Sequence, residues 1–212
     1  SLGRFFDQWL RSPGYPKLKV EVRHDDAKHE TSITVTQTQV DEKLGIPVFA
    51  FPLPIEITTK DRTSTVTLAI EDARHVLLLP LDAPATRVRI DPRSTAVFAL
   101  DWDPGTPAWE AQLTQPDDVR GRIAAAHALV KTGHPRHTHA VVTAFEAEPF
   151  WGVRCEWADA LGDAQTEAAL AGLLSLAATH TDPLSLAALL RQLCRYRDPR
   201  IVTCLTARLE QG

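Results

Sequence analysis

The chain has 212 residues, 44% of them hydrophobic and 24% charged, a composition that suits a globular protein of one large domain or two ordinary ones. Its formal net charge of −4 removes the electrostatic case for a nucleic acid or an anionic membrane as partner. The longest strongly apolar run, Val76–Leu81, is far short of the roughly 20 residues a spanning helix needs, and no signal-peptide pattern opens the chain.

The opening SLGRFFDQWLR reads as a helix with Leu2, Phe5, Phe6 and Trp9 on one side. That apolar face is expected to belong to a preceding domain. A period of two follows. Leu18, Val20 and Val22 alternate with Lys19, Glu21 and Arg23, and Ile33 and Val35 begin a second such run. Phe49, Phe51, Leu53, Ile55 and Ile57 form a third. Val66, Leu68 and Ile70, then Val76–Leu81, Val88 with Ile90, and Phe98 with Leu100 complete the set. About seven short strands separated by turn residues predict an antiparallel β-sandwich. Pro52 and Pro54 cannot donate ladder bonds, so their strand is expected at an edge or bulged. In ITVTQTQV, Gln37 and Gln39 continue the face begun by Ile33 and Val35. The expectation is that both amides leave the core, serve a seam with an absent domain, and face solvent in this chain.

Near residue 103 the period becomes helical. Stripes run through Val119, Ile123, Ala126 and Val130, through Leu170, Leu173, Leu174 and Ala177, and through Leu186, Leu189, Leu190 and Leu193. Asp182-Pro183 and Asp198-Pro199 each place a capping carboxylate before a first-turn proline. Gly133 and Gly162 are expected to end helices. RIAAAHAL from Arg122 and RCEWADAL from Arg154 share Arg-x-x-x-Ala-x-Ala-Leu, 32 residues apart, as stacked helical pairs of a HEAT- or armadillo-like array require. Trp102, Trp109, Trp151 and Trp157 are expected to form a core between sandwich and helices. The resulting division is a terminal helix over 1–15, a sandwich over 16–103 and a helical array over 104–212. The chain has no methionine, and its last helix reaches Gly212 with no polar capping repeat, so a trimmed piece of a longer protein is expected.

Chemistry-bearing patterns are sparse. His29-Glu30 begins a His-Glu-x-x-His, but Ile33 stands where the second histidine belongs, and RHDDAKHE reads as a polar hairpin turn. His134, His137 and His139 in HPRHTH could bind a metal, although the loop supplies no carboxylate or thiolate; a surface connector is the plainer reading. Asp25-Asp26 and Asp117-Asp118 fit turns and caps. Cys155 could pair with His127 or His180, but no spacing singles out such a dyad. With Cys194 and Cys204 the cysteines make an odd set, which fits buried free thiols and a reducing, cytoplasmic compartment better than a disulfide framework. No Gly-x-Gly-x-x-Gly, phosphate loop or Gly-x-Ser-x-Gly elbow occurs.

The order of FFDQWLRSPGYPKLKVEV, ITVTQTQV and FAFPLPIEI resembles zinc aminopeptidases of the gluzincin type, the aminopeptidase N and puromycin-sensitive family. The positions that carry the likeness are Trp9, Gly14 to Leu18, Gln37 with Gln39, and Phe51-Pro52-Leu53. LDWDPGTPAWEAQL with DVRGRIAAAHAL resembles that family's passage into its helical domain, and PFWGVRCEWADALG resembles one of the helices there. The resemblance implies a non-catalytic sandwich and helical part of such an enzyme, covering its peptide-access chamber. It implies zinc in a catalytic domain outside this chain, with that domain and the parent's peptide substrates as partners. It transfers no catalytic, cofactor-binding or metal-binding residue to any position here. The alternative is a protein-interaction scaffold from an inactive relative. A weaker third idea is an independent metal hydrolase built on His134, His137 and His139.

Overall fold

The structure, a computed structural model, describes residues 2–211, and Gly212 lies outside the described residues. It divides into two compact units, one ending at Pro104 and one beginning at Gly105.

The first unit is a β-sandwich preceded by a short helix. Helix α1 (Leu2–Phe6) continues as a wider π-helical stretch over Asp7–Arg11. The changed winding takes Trp9 out of the expected stripe. Its ring packs on Phe49 and Phe51 at 5.5 and 6.1 Å, while Leu2, Phe5, Phe6 and Leu10 stay exposed. One sheet holds β1 (Lys17–Asp25), β2 (Glu30–Gln37), β5 (Arg74–Pro80) and β7 (Ala99–Asp101) in the order β5-β2-β1-β7. The other holds β3 (Phe51–Thr58), β4 (Thr63–Ile70) and β6 (Arg87–Ile90) in the order β4-β3-β6. All pairings are antiparallel except β1 with β7, which is parallel. Val20 faces Val35 and Val22 faces Ile33 across the β1–β2 hairpin. Leu18, Val20, Ile33 and Val35 meet Leu53, Ile55, Ile57 and Ile70 of the second sheet in one core.

Two sequence expectations fail here, each for a local reason. The proline strand β3 is central in its sheet rather than an edge. It tolerates Pro52 and Pro54 because β6 pairs only with Ile55–Thr58. Asp91 N donates to Pro54 O, so residue 54 turns its backbone toward the β6 side, and residue 52 shares that parity. Both imino nitrogens therefore point past the end of β6, where no ladder bond is required.

The second failure is larger. Gln37 and Gln39 are not solvent-facing seam residues: they are only 4% and 8% exposed, inside the sandwich. The chain crosses between the sheets over residues 38–50, and Phe49 is buried there without belonging to a strand. Gln37 acts as the missing neighbour. Its Oε1 accepts from Phe49 N at 3.0 Å and its Nε2 donates to Phe49 O at 2.9 Å, the double bond a paired strand would make. The same Nε2 donates to Asp72 O at 3.1 Å, and Oε1 also accepts from Gln39 Nε2 at 2.7 Å. All four hydrogen-bonding positions of the amide are used. Gln39 Oε1 in turn accepts from Lys17 N at 2.9 Å. Gln8 repeats the device one residue on, accepting from Ala50 N at 2.7 Å and donating to Ala50 O at 2.9 Å.

The second unit begins with α2 (Thr106–Gln112) and continues as three helical pairs. These are α3 (Val119–Lys131) with α4 (Pro135–Ala147), α5 (Trp151–Ala164) with α6 (Glu167–Thr179), and α7 (Pro183–Leu193) with α8 (Pro199–Gln211). Every helix starts 32 residues after its counterpart in the preceding pair. Helices α3, α5 and α7 pack as one layer and α4, α6 and α8 as the other. Asp118 and Asp182 cap equivalent helices by accepting from Gly121 N and Ser185 N. Equivalent Leu129, Leu161 and Leu193 are fully buried. Gly133, at φ 70°, follows α3 as expected. Gly162 does not end its helix: it lies inside α5, where a Cβ would stand 2.2 Å from Gln192 Oε1, so it serves the close approach of α5 and α7. The α5 terminus falls instead at Gln165, in the left-handed region.

Replacing Gln37 by leucine is expected to destabilise the sandwich by about 3 kcal/mol, because the buried N–H and C=O of Phe49 both lose their partner. The urea midpoint should fall at unchanged slope; a loss below about 0.5 kcal/mol, the scale of an indifferent surface change, would show the amide to be dispensable.

Candidate functional site

The histidines singled out by the sequence do not converge. His29 sits in the β1–β2 turn at φ 50°, 3.6 Å by its Nδ1 from Asp82. His134 caps α4 by accepting from Arg136 N, and its ring lies 4.9 Å from that of His137. His137 Nδ1 is engaged with Thr132 Oγ1 at 2.8 Å. His139 lies farther along α4, on a groove of about 380 Å³ between α4 and α6 that it shares with Thr143, Glu146, Ala171, Gly172 and Ser175. Among the described residues no three His, Cys, Asp or Glu side chains are grouped to hold a metal ion. Divided among a cap, a hydroxyl contact and a groove, these residues do not assemble the ligand set a zinc ion needs.

Cys155 and His180 are likewise separately employed. Cys155 Sγ donates to Leu184 O at 3.7 Å, and burial, with Asp159 adding to it, pushes the thiol pKa up, away from a nucleophilic thiolate. His180 Nε2 accepts from Arg154 Nη1 at 3.3 Å, and its ring stands edge-on to Phe145 at 5.4 Å. Arg208 from α8 donates to the His180 carbonyl, and Asp182 lies 3.9 Å from Arg154. Burial and then the Arg154 charge depress the His180 pKa below its ordinary 6.5.

Trp102 packs in the sandwich cluster, Trp109 and Trp157 in the helical one, and Trp151 is half exposed beside Phe150. Trp157 is fully buried because its indole N–H reaches Arg122 O at 3.0 Å.

The unit's strongest electrostatic feature was missed by sequence reasoning. Arg122, on α3, makes a two-point ion pair with Glu148 at 2.7 and 3.1 Å, both side chains almost wholly buried. Arg122 also donates to Gln115 O and Pro116 O. Arg154, its counterpart one repeat on, donates to Glu148 O at 2.6 Å. One glutamate thus receives both repeat arginines, through its side chain and its backbone. The shared arginine of the two repeat motifs was the available signal; its acceptor lay outside either motif. Exposed pairs tie α5 to α7 at equivalent positions, with Arg191 3.7 Å from Asp159 and Arg195 2.7 Å from Asp163. A second groove, of about 350 Å³, lies between α6 and α8 along Leu174, Ala178, Thr203 and Cys204.

HEAT repeats match residues 106–193, the span of the first two helical pairs with α2 and α7. No curated protein matches the chain in sequence. Among solved structures, aminopeptidase A of Legionella pneumophila in complex with aspartic acid superposes with a TM-score of 0.62 at 9% identity. The match covers 99% of this chain and 31% of that one, so the chain spans about a third of the length of that relative. The fold, a sandwich followed by helical repeats, is aminopeptidase-like. No described helix is long and apolar enough to cross a membrane.

Because folding lowers the His180 pKa, the folded unit binds this proton less readily than the unfolded chain. Its stability contribution is complete above about pH 6.5 and is lost as pH falls from there through the depressed value. Thermal unfolding of His180→Gln is expected to show a flatter pH dependence over this window; an unchanged slope would assign the dependence to other groups.

Proposed function

We propose that this chain is the non-catalytic sandwich and helical part of a zinc-dependent aminopeptidase, with the helical array covering the chamber through which peptides reach the active site. The observation that carries this reading is the match to an aminopeptidase over 99% of the chain, through both units in order. The HEAT-repeat match supports the second unit independently. In this reading the sandwich is a spacer held rigid by its glutamine network, and the array is a wall held by its buried Arg122–Glu148 pair. The zinc, its ligands and the catalytic base belong to the parent's catalytic domain, and this chain contributes access and selection. Its compartment is the cytoplasm, consistent with three free cysteines.

The open reading frame upstream of Ser1 is expected to encode His-Glu-x-x-His with a downstream glutamate, and the parent to release N-terminal residues from peptides while the isolated chain releases none. Removing residues 105–212 from the parent should reduce its discrimination between short and long peptides, read as the ratio of their kcat/KM values. A degenerate motif with an inert parent would favour the scaffold alternative. An unchanged ratio in an active truncated parent would remove the chamber role.

A further inference from the structure

Strand β5 (Arg74–Pro80) is the outer strand of its sheet. Two hydrogen bonds fix which way its backbone points. Gln37 N donates to Ala73 O at 2.8 Å, and Leu81 N donates to His29 O at 2.9 Å. Odd-numbered residues thus turn toward β2, and Arg74, Val76, Leu78 and Pro80 turn their backbone groups toward the open side. Among the described residues no neighbouring strand occupies that side.

The side chains of the same residues form the outer surface. Val76 is 43% exposed and Leu78 is 53% exposed. No charge lies between Arg74 and Asp82. Outer strands are ordinarily protected by a lysine, a bulge or an inward charge, and residues 75–79 carry no charged side chain. Strand β4, an outer strand of the other sheet, presents Thr63, Thr65 and Thr67 among its exposed positions instead.

We infer that β5 is the pairing edge of a symmetric dimer, in which a second copy of this chain adds its own β5 antiparallel to the first. Charge sets the register. Centring the two-fold axis on Leu77 would oppose Asp72 to the second copy's Asp82, a like-charge pair. Centring it on Val76 would oppose Arg74 to Leu78. Centring it on Leu78 opposes Arg74 to the second copy's Asp82, twice by symmetry, with Leu78 against Leu78 and Val76 against Pro80. The Asp82 side chain is fully exposed, with His29 Nδ1 3.6 Å away. Pro80 lacks a donor, but its carbonyl accepts from the opposing Val76 N–H. The contact is one strand wide, so the dimer is weak and concentration-dependent.

Sedimentation equilibrium of the 212-residue chain over a concentration series is expected to show the mass rising toward twice the monomer's. Leu78→Lys, at an exposed position, should return it to a monomer with an unchanged circular dichroism spectrum. Arg74→Asp and Asp82→Arg should each raise the dissociation constant about fivefold, and the two together should restore it. Under mild oxidation Leu78→Cys should form a covalent dimer, because residues in a hydrogen-bonded antiparallel pair lie about 5.5 Å apart at Cα. A monomer at every concentration would overturn the inference. So would a dimer indifferent to Leu78→Lys, which would place the contact on another apolar face. A charge exchange no better than either single change would overturn the register.

Discussion

A chain that passes from one sheet of a sandwich to the other buries backbone polar groups where it re-enters the core, and each of these needs a partner. Here the passage from β2 to β3 is met by side chains. Gln37 and Gln8 each offer an amide that can donate and accept like a strand neighbour, and they satisfy Phe49 and Ala50 in turn. Gln39 links Gln37 to Lys17 at the start of β1. Through Gln8 and Trp9 the initial helix is held against the same segment, and Phe49 and Phe51 are fixed in the core. A neutral amide suits this position because it brings both functions without the desolvation penalty of a charge.

The helical unit meets a comparable demand with ions. Its 32-residue repeat buries small residues and leucines, and at the join of the first two pairs it also buries Arg122 against Glu148. Burying two charges contributes little net stability, yet removing one partner costs about 3–5 kcal/mol. The arginine is also bonded to the carbonyls of Gln115 and Pro116, so it ties the entry segment, the first helix and the next pair to one point. Both units are thus held by buried polar groups with full sets of partners, which specify position as well as compactness.

The strands and helices were legible in the sequence because their periods of two and 3.6 come from burial on one face. The repeat motif located α3 and α5, and its 32-residue spacing is the spacing of the whole array. What could not be read was set by contacts distant in sequence. Gln37 looked like a strand leaving its core because an amide at an inward position has no local reason; its reason is Phe49, on the far side of the crossing. Pro52 and Pro54 suggested an edge, but the decisive fact is how far β6 extends beside them. Gly162 looked like a helix end because its close neighbour, Gln192, belongs to another helix. The histidines and cysteines carried types suited to chemistry, and the fold distributes them to caps, turns and packing contacts.

With the glutamines inside the sandwich, the surfaces left open are the grooves of the helical array and the outer edge of β5. That division rests on the crossing being a locked part of the core rather than a surface awaiting a neighbour. Amide hydrogen exchange on the isolated chain tests it most directly. The N–H groups of Phe49 and Ala50 are predicted to exchange as slowly as the ladder amides of β1 and β2, although they lie outside any strand. Exchange as fast as that of the exposed turn at Lys43 and Leu44 would contradict the locked crossing.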